Sequence, residues 1–248
     1  MSKFVFLFLL YICSDCIAQT VTINTNLIYK TNLPLKKSEK TPVIIMLHGY
    51  GSNEEDLFAL AKSFDLRFIT FSLRAPFNAD GQGFCWYKLD FLPDKKFRSD
   101  YKQTKESRAK IISFISNACK NYKVDSNQVF IMGFSQGAIM AYEIALSKPE
   151  KIKGVVALSG KLLDETKKIK VDAFKLSVVK FFIAHGSMDN VIDFKEGEDA
   201  AKFLQSKKNN VNFKNYEMPH SINGAELNDI KTWLKSNIEK EKKEDVKK

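Results

Sequence analysis

No run in this 248-residue chain approaches the ~20 consecutive apolar residues that a membrane-spanning helix needs, so helical membrane spans are excluded by pattern. Glycine and proline are scarce, at 11 and 6 residues, which argues against an all-β array of tight turns and for long helices between strands. Four cysteines are too few for a disulfide-stapled miniprotein. Neither an H-E-x-x-H nor an EF-hand loop occurs, and the one C-x-x-C, Cys13-Ser14-Asp15-Cys16, lies in a leader-like segment. No phosphate-binding glycine fingerprint follows any strand-like run, so neither a metal nor a cofactor is expected. Basic residues do exceed acidic ones, 39 to 29, for a formal charge of +10. That excess is scattered, without basic–aromatic interleaving or zinc-finger spacing, so nucleic acid is not the expected partner. A solvated basic surface of this kind suits contact with anionic lipid or polysaccharide.

With 44% apolar and 27% charged residues the chain can bury one substantial core. Residues 1–18 read as an address: Lys3, an apolar stretch from Phe4 to Ile12, then Cys16-Ile17-Ala18 before Gln19. Small residues at Cys16 and Ala18 suit a cleavage site, so an exported chain beginning at Gln19 is expected. Lipidation is the less favoured alternative, because Ile12 and Asp15 are poor neighbours for a lipidated cysteine. Cleavage would leave Cys85 and Cys119 as the only thiols.

Residues 19–40 form an N-terminal strand and connector, with Val21–Tyr29 read as an antiparallel edge strand rich in β-branched residues. From Thr41 to about residue 239 the pattern changes to short apolar runs alternating with amphipathic stretches. The runs Val43–Leu47, Phe68–Leu73, Val129–Met132, Val155–Leu158 and Lys180–Ala184 have the length of strands buried on both faces. Helices are expected near Glu54–Phe64, Asp100–Tyr122, Gln136–Lys148, Phe194–Lys207 and Asn223–Glu239. Strands and helices in alternation mean a mostly parallel, doubly wound α/β sheet. A Lys/Glu-rich tail occupies 240–248, and the stretch from Arg74 to Arg98 lacks periodicity, as a binding loop does.

At the end of the Val129–Met132 run stands Gly133-Phe134-Ser135-Gln136-Gly137, followed at once by a helical stretch. That is G-x-S-x-G in a strand–turn–helix context, the setting in which the serine is held on a strained turn and exposed as a nucleophile. A serine hydroxyl needs a base, and in this order of elements the base follows an acid, late in the chain. Of three histidines only His220, in Met218-Pro219-His220-Ser221, meets that requirement. Asp189, just past the Lys180–Ala184 strand, is the expected acid, ahead of Asp193 and Asp164. His185 and His48 are read as structural. Oxyanion donors are assigned to the backbone N–H of Gln136, after the nucleophile, and of Tyr50, in Leu47-His48-Gly49-Tyr50-Gly51.

Those stretches, with His185-Gly186, Asp189, Val191 and Pro219-His220-Ser221, resemble the phospholipase/carboxylesterase family of α/β-hydrolases, which includes the acyl-protein thioesterases. The resemblance spans roughly Thr41 to Ile238. It implies an α/β-hydrolase fold without a large cap domain, Ser135, Asp189 and His220 as a triad, and Tyr50 and Gln136 as oxyanion donors. The loop Gln82-Gly83-Phe84-Cys85-Trp86-Tyr87 looks like the family's acyl-pocket wall, and Phe77, Phe84 and Trp86 are its expected substrate-binding residues. The expected reaction is hydrolysis of short-to-medium acyl or lysophospholipid-like esters through an acyl-enzyme. Two alternatives stand beside it: deacylation of acetylated or feruloylated polysaccharide, and a non-catalytic hydrolase-fold binding protein. Monomer and homodimer are both compatible with the sequence.

Overall fold

The computed structural model describes residues 27–36, 41–91, 97–122 and 124–238. The expected leader, residues 19–26 and 37–40 of the connector, and the tail at 240–248 lie outside the described residues. Strands β1 (Tyr29–Asn32), β2 (Val43–Leu47) and β3 (Ile69–Leu73) come first, with helix α1 (Glu54–Phe58) between the last two. Two small hairpins follow, β4 (Phe77–Asn78) with β5 (Phe84–Cys85) and β6 (Leu89–Phe91) with β7 (Phe97–Ser99). Then α2 (Tyr101–Asn121), β8 (Val129–Phe134), α3 (Gln136–Ser147) and β9 (Gly154–Leu158) lead to two short helices, α4 (Asp164–Lys167) and α5 (Ala173–Ser177). The chain continues through β10 (Lys180–Gly186), α6 (Phe194–Ser206), β11 (Asn210–Tyr216) and α7 (Gly224–Asn237).

Seven strands form one sheet in the order β1-β3-β2-β8-β9-β10-β11. Only β1 is antiparallel to its neighbour. The fold is thus the expected α/β-hydrolase arrangement with an antiparallel N-terminal edge. That edge lies later than the sequence suggests: Tyr29–Asn32 pairs with β3, and Val21–Asn26 falls outside the described residues.

The continuous apolar runs follow from burial on both faces. Val43, Ile45 and Leu47 of β2 enter a core shared with α2, α3 and α6, while Ile44 and Met46 face α1 and α7. Helix α2 starts at Asp100, whose side chain accepts hydrogen bonds from the N–H groups of Lys102 and Gln103 at 3.0 and 3.1 Å. It buries Ile111, Phe114, Ile115 and Ala118. The helix expected over Glu54–Phe64 divides instead. After Phe58, Leu60 and Ser63 donate to the carbonyls three residues back, giving a 3₁₀ turn at Ala61–Ser63. The helices α4 and α5 are too short and mixed in composition to show periodicity.

Helix α7 carries a buried carboxyl. Asn223 caps the helix by accepting from the Glu226 N–H at 2.9 Å, but neither carboxyl oxygen of the fully buried Glu226 has a partner among the described residues. Burial disfavours its charge and pushes its pKa up to about 8. A carboxyl raised in the folded state is stabilising while protonated in both states, and that stability drains away between the unfolded value near 4.5 and the folded value. Glu226→Gln should therefore match the native protein at pH 4.5 and exceed it at pH 8, by on the order of 3 kcal/mol. Urea unfolding at the two pH values checks this; parallel pH dependences in both proteins would contradict it.

Candidate active site

The site stands at the carboxyl ends of β2, β8 and β10, where one loop after another leaves the sheet. Ser135 links β8 to α3 with φ +54° and ψ −116°, a conformation side chains rarely adopt and one that costs ~1–3 kcal/mol. Backbone bonds hold it there: the Ser135 N–H donates to the Leu158 carbonyl at 2.9 Å, and its own carbonyl accepts from Ala138 N at 3.0 Å. The two flanking glycines are demanded by space. A Cβ at Gly133 would collide with the Gly137 carbonyl, and a Cβ at Gly137 would collide with the Leu47 carbonyl. Both obstacles are backbone and cannot swing aside. Gly137→Ala should cost about 3 kcal/mol or more of folding stability, measured by urea unfolding; a loss below about 1 kcal/mol would mean α3 is not wedged against β2.

His220, after β11, packs its ring against that of Phe134 at 4.8 Å between centroids. Its Nδ1 lies 2.6 Å from Asp189 Oδ2, so Nδ1 carries the proton and Nε2 is left as an acceptor. The Asp189 side chain is fully buried. Burial opposes its charge, but hydrogen bonds from His185, His220 and the N–H groups of Ile192 and Val191 outweigh that and hold its pKa well below the usual carboxylate range. Oδ1 accepts from Val191 N and Ile192 N at 2.8 and 2.9 Å. The Ser135 hydroxyl is not hydrogen-bonded to His220 in this structure, a common state of such pairs before substrate closes the geometry.

The other expected acids are otherwise engaged. Asp193 caps α6, accepting from Lys195 N at 2.8 Å. Asp164 is exposed and pairs with Lys167 at 3.1 Å. His185, read from sequence as structural, also touches the acid: its Nε2 is 2.8 Å from the Ile192 carbonyl and 3.3 Å from Asp189 Oδ2. The four-residue spacing of His185 and Asp189 at a strand end is the only sequence signal for that contact.

Gln136 opens α3, so its N–H has no acceptor within the helix and is available at the positive end of the helix dipole. Its side chain has a second role that the sequence did not suggest. Oε1 accepts from Trp86 N at 2.8 Å and Nε2 donates to the Tyr87 carbonyl at 2.7 Å, tying the long loop to the serine turn. The loop of Tyr50 lies on the other side: a Cβ at Gly49 would sit 3.4 Å from Ser135 Cβ. Gly51 N donates to the Phe84 carbonyl at 2.9 Å and Phe84 N to the Ser52 carbonyl at 2.8 Å, which zips the two loops together.

His48 anchors this junction. Its Nε2 accepts from Ala75 N at 3.1 Å and its Nδ1 lies 2.7 Å from the Gly49 carbonyl, so Nδ1 holds the proton. Burial lowers its pKa, which keeps the ring neutral. Of the three aromatics expected to meet substrate, Trp86 has no exposed surface and donates its indole N–H to the His48 carbonyl at 2.9 Å. It pins the loop. Phe84 and Phe77 are half-buried; Phe84 lies under the Arg74 guanidinium at 4.6 Å, and Arg74 is itself held by both oxygens of Glu54. Cys85 and Cys119 are free thiols, and burial pushes the Cys85 thiol up to about 11, away from reactivity. Among the described residues no group of three His, Cys, Asp or Glu side chains could hold a metal ion.

A strained serine thus stands between two space-limited glycines at a strand end, near a half-buried histidine bonded to a buried aspartate. Residues 32–238 match the phospholipase/carboxylesterase family. The chain belongs to that family. Acyl-protein thioesterase 1 of Yarrowia lipolytica is 28% identical over 215 residues, covering 82% of this chain and 94% of that one. The carboxylesterase of Bacillus cereus superposes with a TM-score of 0.75 at 24% identity, over 87% of this chain and 96% of that one. Acyl-protein thioesterase 2 of Zea mays gives 0.72 at 22% identity, over 85% and 98%. This member of the family is a serine hydrolase of the carboxylesterase class. Among the described residues two small hairpins, and no large cap domain, accompany the sheet.

Proposed function

We propose that this hydrolase cleaves carboxylic esters of short-to-medium acyl chains or lysophospholipid-like substrates, outside the cell that makes it, with Ser135, His220 and Asp189 as its triad. The observation that carries the reading is the 2.6 Å bond from His220 Nδ1 to the buried Asp189, set against Phe134, the residue before the strained serine. In the reaction His220 Nε2 takes the Ser135 proton as Oγ attacks the ester carbon, and the N–H groups of Gln136 and Tyr50 receive the developing oxyanion. The tetrahedral intermediate collapses, His220 returns the proton to the leaving alcohol, and an acyl-serine remains. Water, deprotonated by the same ring, then releases the acid.

Phe84 and Phe77, half-buried on the paired strands β5 and β4, the first of which is bonded to the Tyr50 turn, support an apolar acyl contact. The leader pattern in residues 1–18 supports export, and no helix among the described residues is long and apolar enough to cross a membrane. Hydrolysis of p-nitrophenyl esters from acetyl to palmitoyl tests the substrate class. The expected optimum lies between butyrate and decanoate, and Phe84→Ala should shift it or raise KM about tenfold. An acetyl-only profile with strong activity on acetylated xylan would replace this reading with polysaccharide deacetylation.

A further inference from the structure

A groove of about 640 Å³ opens far from the serine, between residues 167–177 and the end of α6. Its position follows from topology. Leu146 lies in the last turn of α3, Leu176 precedes β10, and Lys207 and Lys208 precede β11, so the groove lies at the amino ends of the strands, whereas Ser135, Asp189 and His220 follow their carboxyl ends. Its floor is apolar: Leu146 and Leu176 are fully buried beneath it, and Ile169, Val171 and Phe203 are half-buried along it. Phe174 stands beside it with 80% of its surface exposed, which for a phenylalanine is an uncovered contact rather than core.

The charges lining this groove have one sign. Lys167, Lys170, Lys207 and Lys208 face it, and no Asp or Glu does. Lys167 is partnered by Asp164 and Lys207 lies over the Phe203 ring at 5.3 Å. Lys170 and Lys208 have no side-chain partner among the described residues. The nearest acid in sequence, Asp172, spends its carboxylate on the N–H groups of Phe174 and Lys175.

We propose that this groove is a second ligand site, separate from ester cleavage, for a single-chain amphiphilic anion. The alkyl chain lies against Ile169, Val171 and Phe203, and Lys170 and Lys208 hold the anionic head group. The volume falls in the ~300–1,000 Å³ range of small-molecule sites. A second copy of this chain is a poor occupant, since it would bring the same lysines to the same face and a net charge of +10 to each partner. A bilayer is also a poor fit: Ile169, Val171 and Phe203 line a concavity, where a single chain reaches and a flat surface does not.

The test is a fluorescence titration of the full chain carrying Phe174→Trp, with the unsubstituted chain as blank for Trp86 and Trp233. Dodecanoate and dodecyl phosphate, below their critical micelle concentrations, should each produce a saturable blue shift, and neutral dodecyl maltoside should not. Lys170→Glu with Lys208→Glu, both at exposed positions, should weaken that binding about tenfold or more without moving the unfolding midpoint. An equal response to the neutral amphiphile, no saturable response, or a response only to phosphatidylglycerol vesicles would overturn the proposal. Because the readout is a local tryptophan and not turnover, its failure is separate from any failure of the esterase reading.

Discussion

Ser135→Ala should remove ester turnover, lowering kcat by on the order of 10⁴-fold or more, with the fold unchanged. The hydroxyl is the only group lost, and it makes no hydrogen bond among the described residues, so its removal leaves the surrounding network whole. The backbone strain at φ +54° is the same for alanine as for serine, and the bonds to Leu158 and Ala138 are main-chain bonds that survive. Stability should therefore change by less than about 1 kcal/mol. Single-turnover and steady-state assays on p-nitrophenyl butyrate, with urea unfolding alongside, make the comparison. A folded Ser135→Ala protein that kept a tenth of the native rate would place the nucleophile elsewhere.

The second large effect is expected at the acid. Asp189→Asn should lower kcat by about 10³–10⁴-fold through the state of His220. Aspartate accepts on both oxygens: Oδ1 from the N–H groups of Val191 and Ile192, Oδ2 from His220 and His185. Asparagine can accept on one side only. If its oxygen keeps the two backbone donors, its NH₂ meets His220 Nδ1 and forces the proton to Nε2, where the ring can no longer take one from serine. Turned the other way, its NH₂ meets two backbone donors and the loop is disrupted. The carboxylate charge that favours the imidazolium is lost in either case. A fall of less than tenfold in a folded variant would assign the orienting role to another residue; Asp193 is poorly placed for it, because its carboxylate already caps α6.

Much of the site was legible in the sequence because it sits on elements with strong local signals. The Gly-Phe-Ser-Gln-Gly turn follows a run of four buried apolar strand residues, Val129–Met132, and opens a helix buried almost throughout, so both its flanks declare themselves. His220 was found by elimination among three histidines and by order along the chain. Of the β-branched run Val21–Tyr29, Val21–Asn26 lie outside the described residues and only Tyr29 belongs to β1, whose extent Tyr29–Asn32 is chosen by pairing with β3 rather than by composition. The pattern over Glu54–Phe64 outlasts the helix for a related reason: the composition continues past Phe58, but the chain tightens to i→i+3 bonds.

The alternation of buried strands and helices from Val43 onward and the Gly-Phe-Ser-Gln-Gly turn between β8 and α3 are determined by the sequence itself, because each depends on periodicity or on neighbours within a few residues. Contacts between distant segments were decided only by the tertiary structure. Trp86 changed from an expected pocket wall to a buried pin, since its indole reaches His48, 38 residues away. Glu143 shows the same effect. On a helix it would be read as a solvated charge, yet α2 and α4 cover that face, and the carboxylate is fully buried against Arg108 and Thr166. Local pattern fixes which face of an element is apolar, but a polar group's burial and partner depend on what the rest of the chain lays across it.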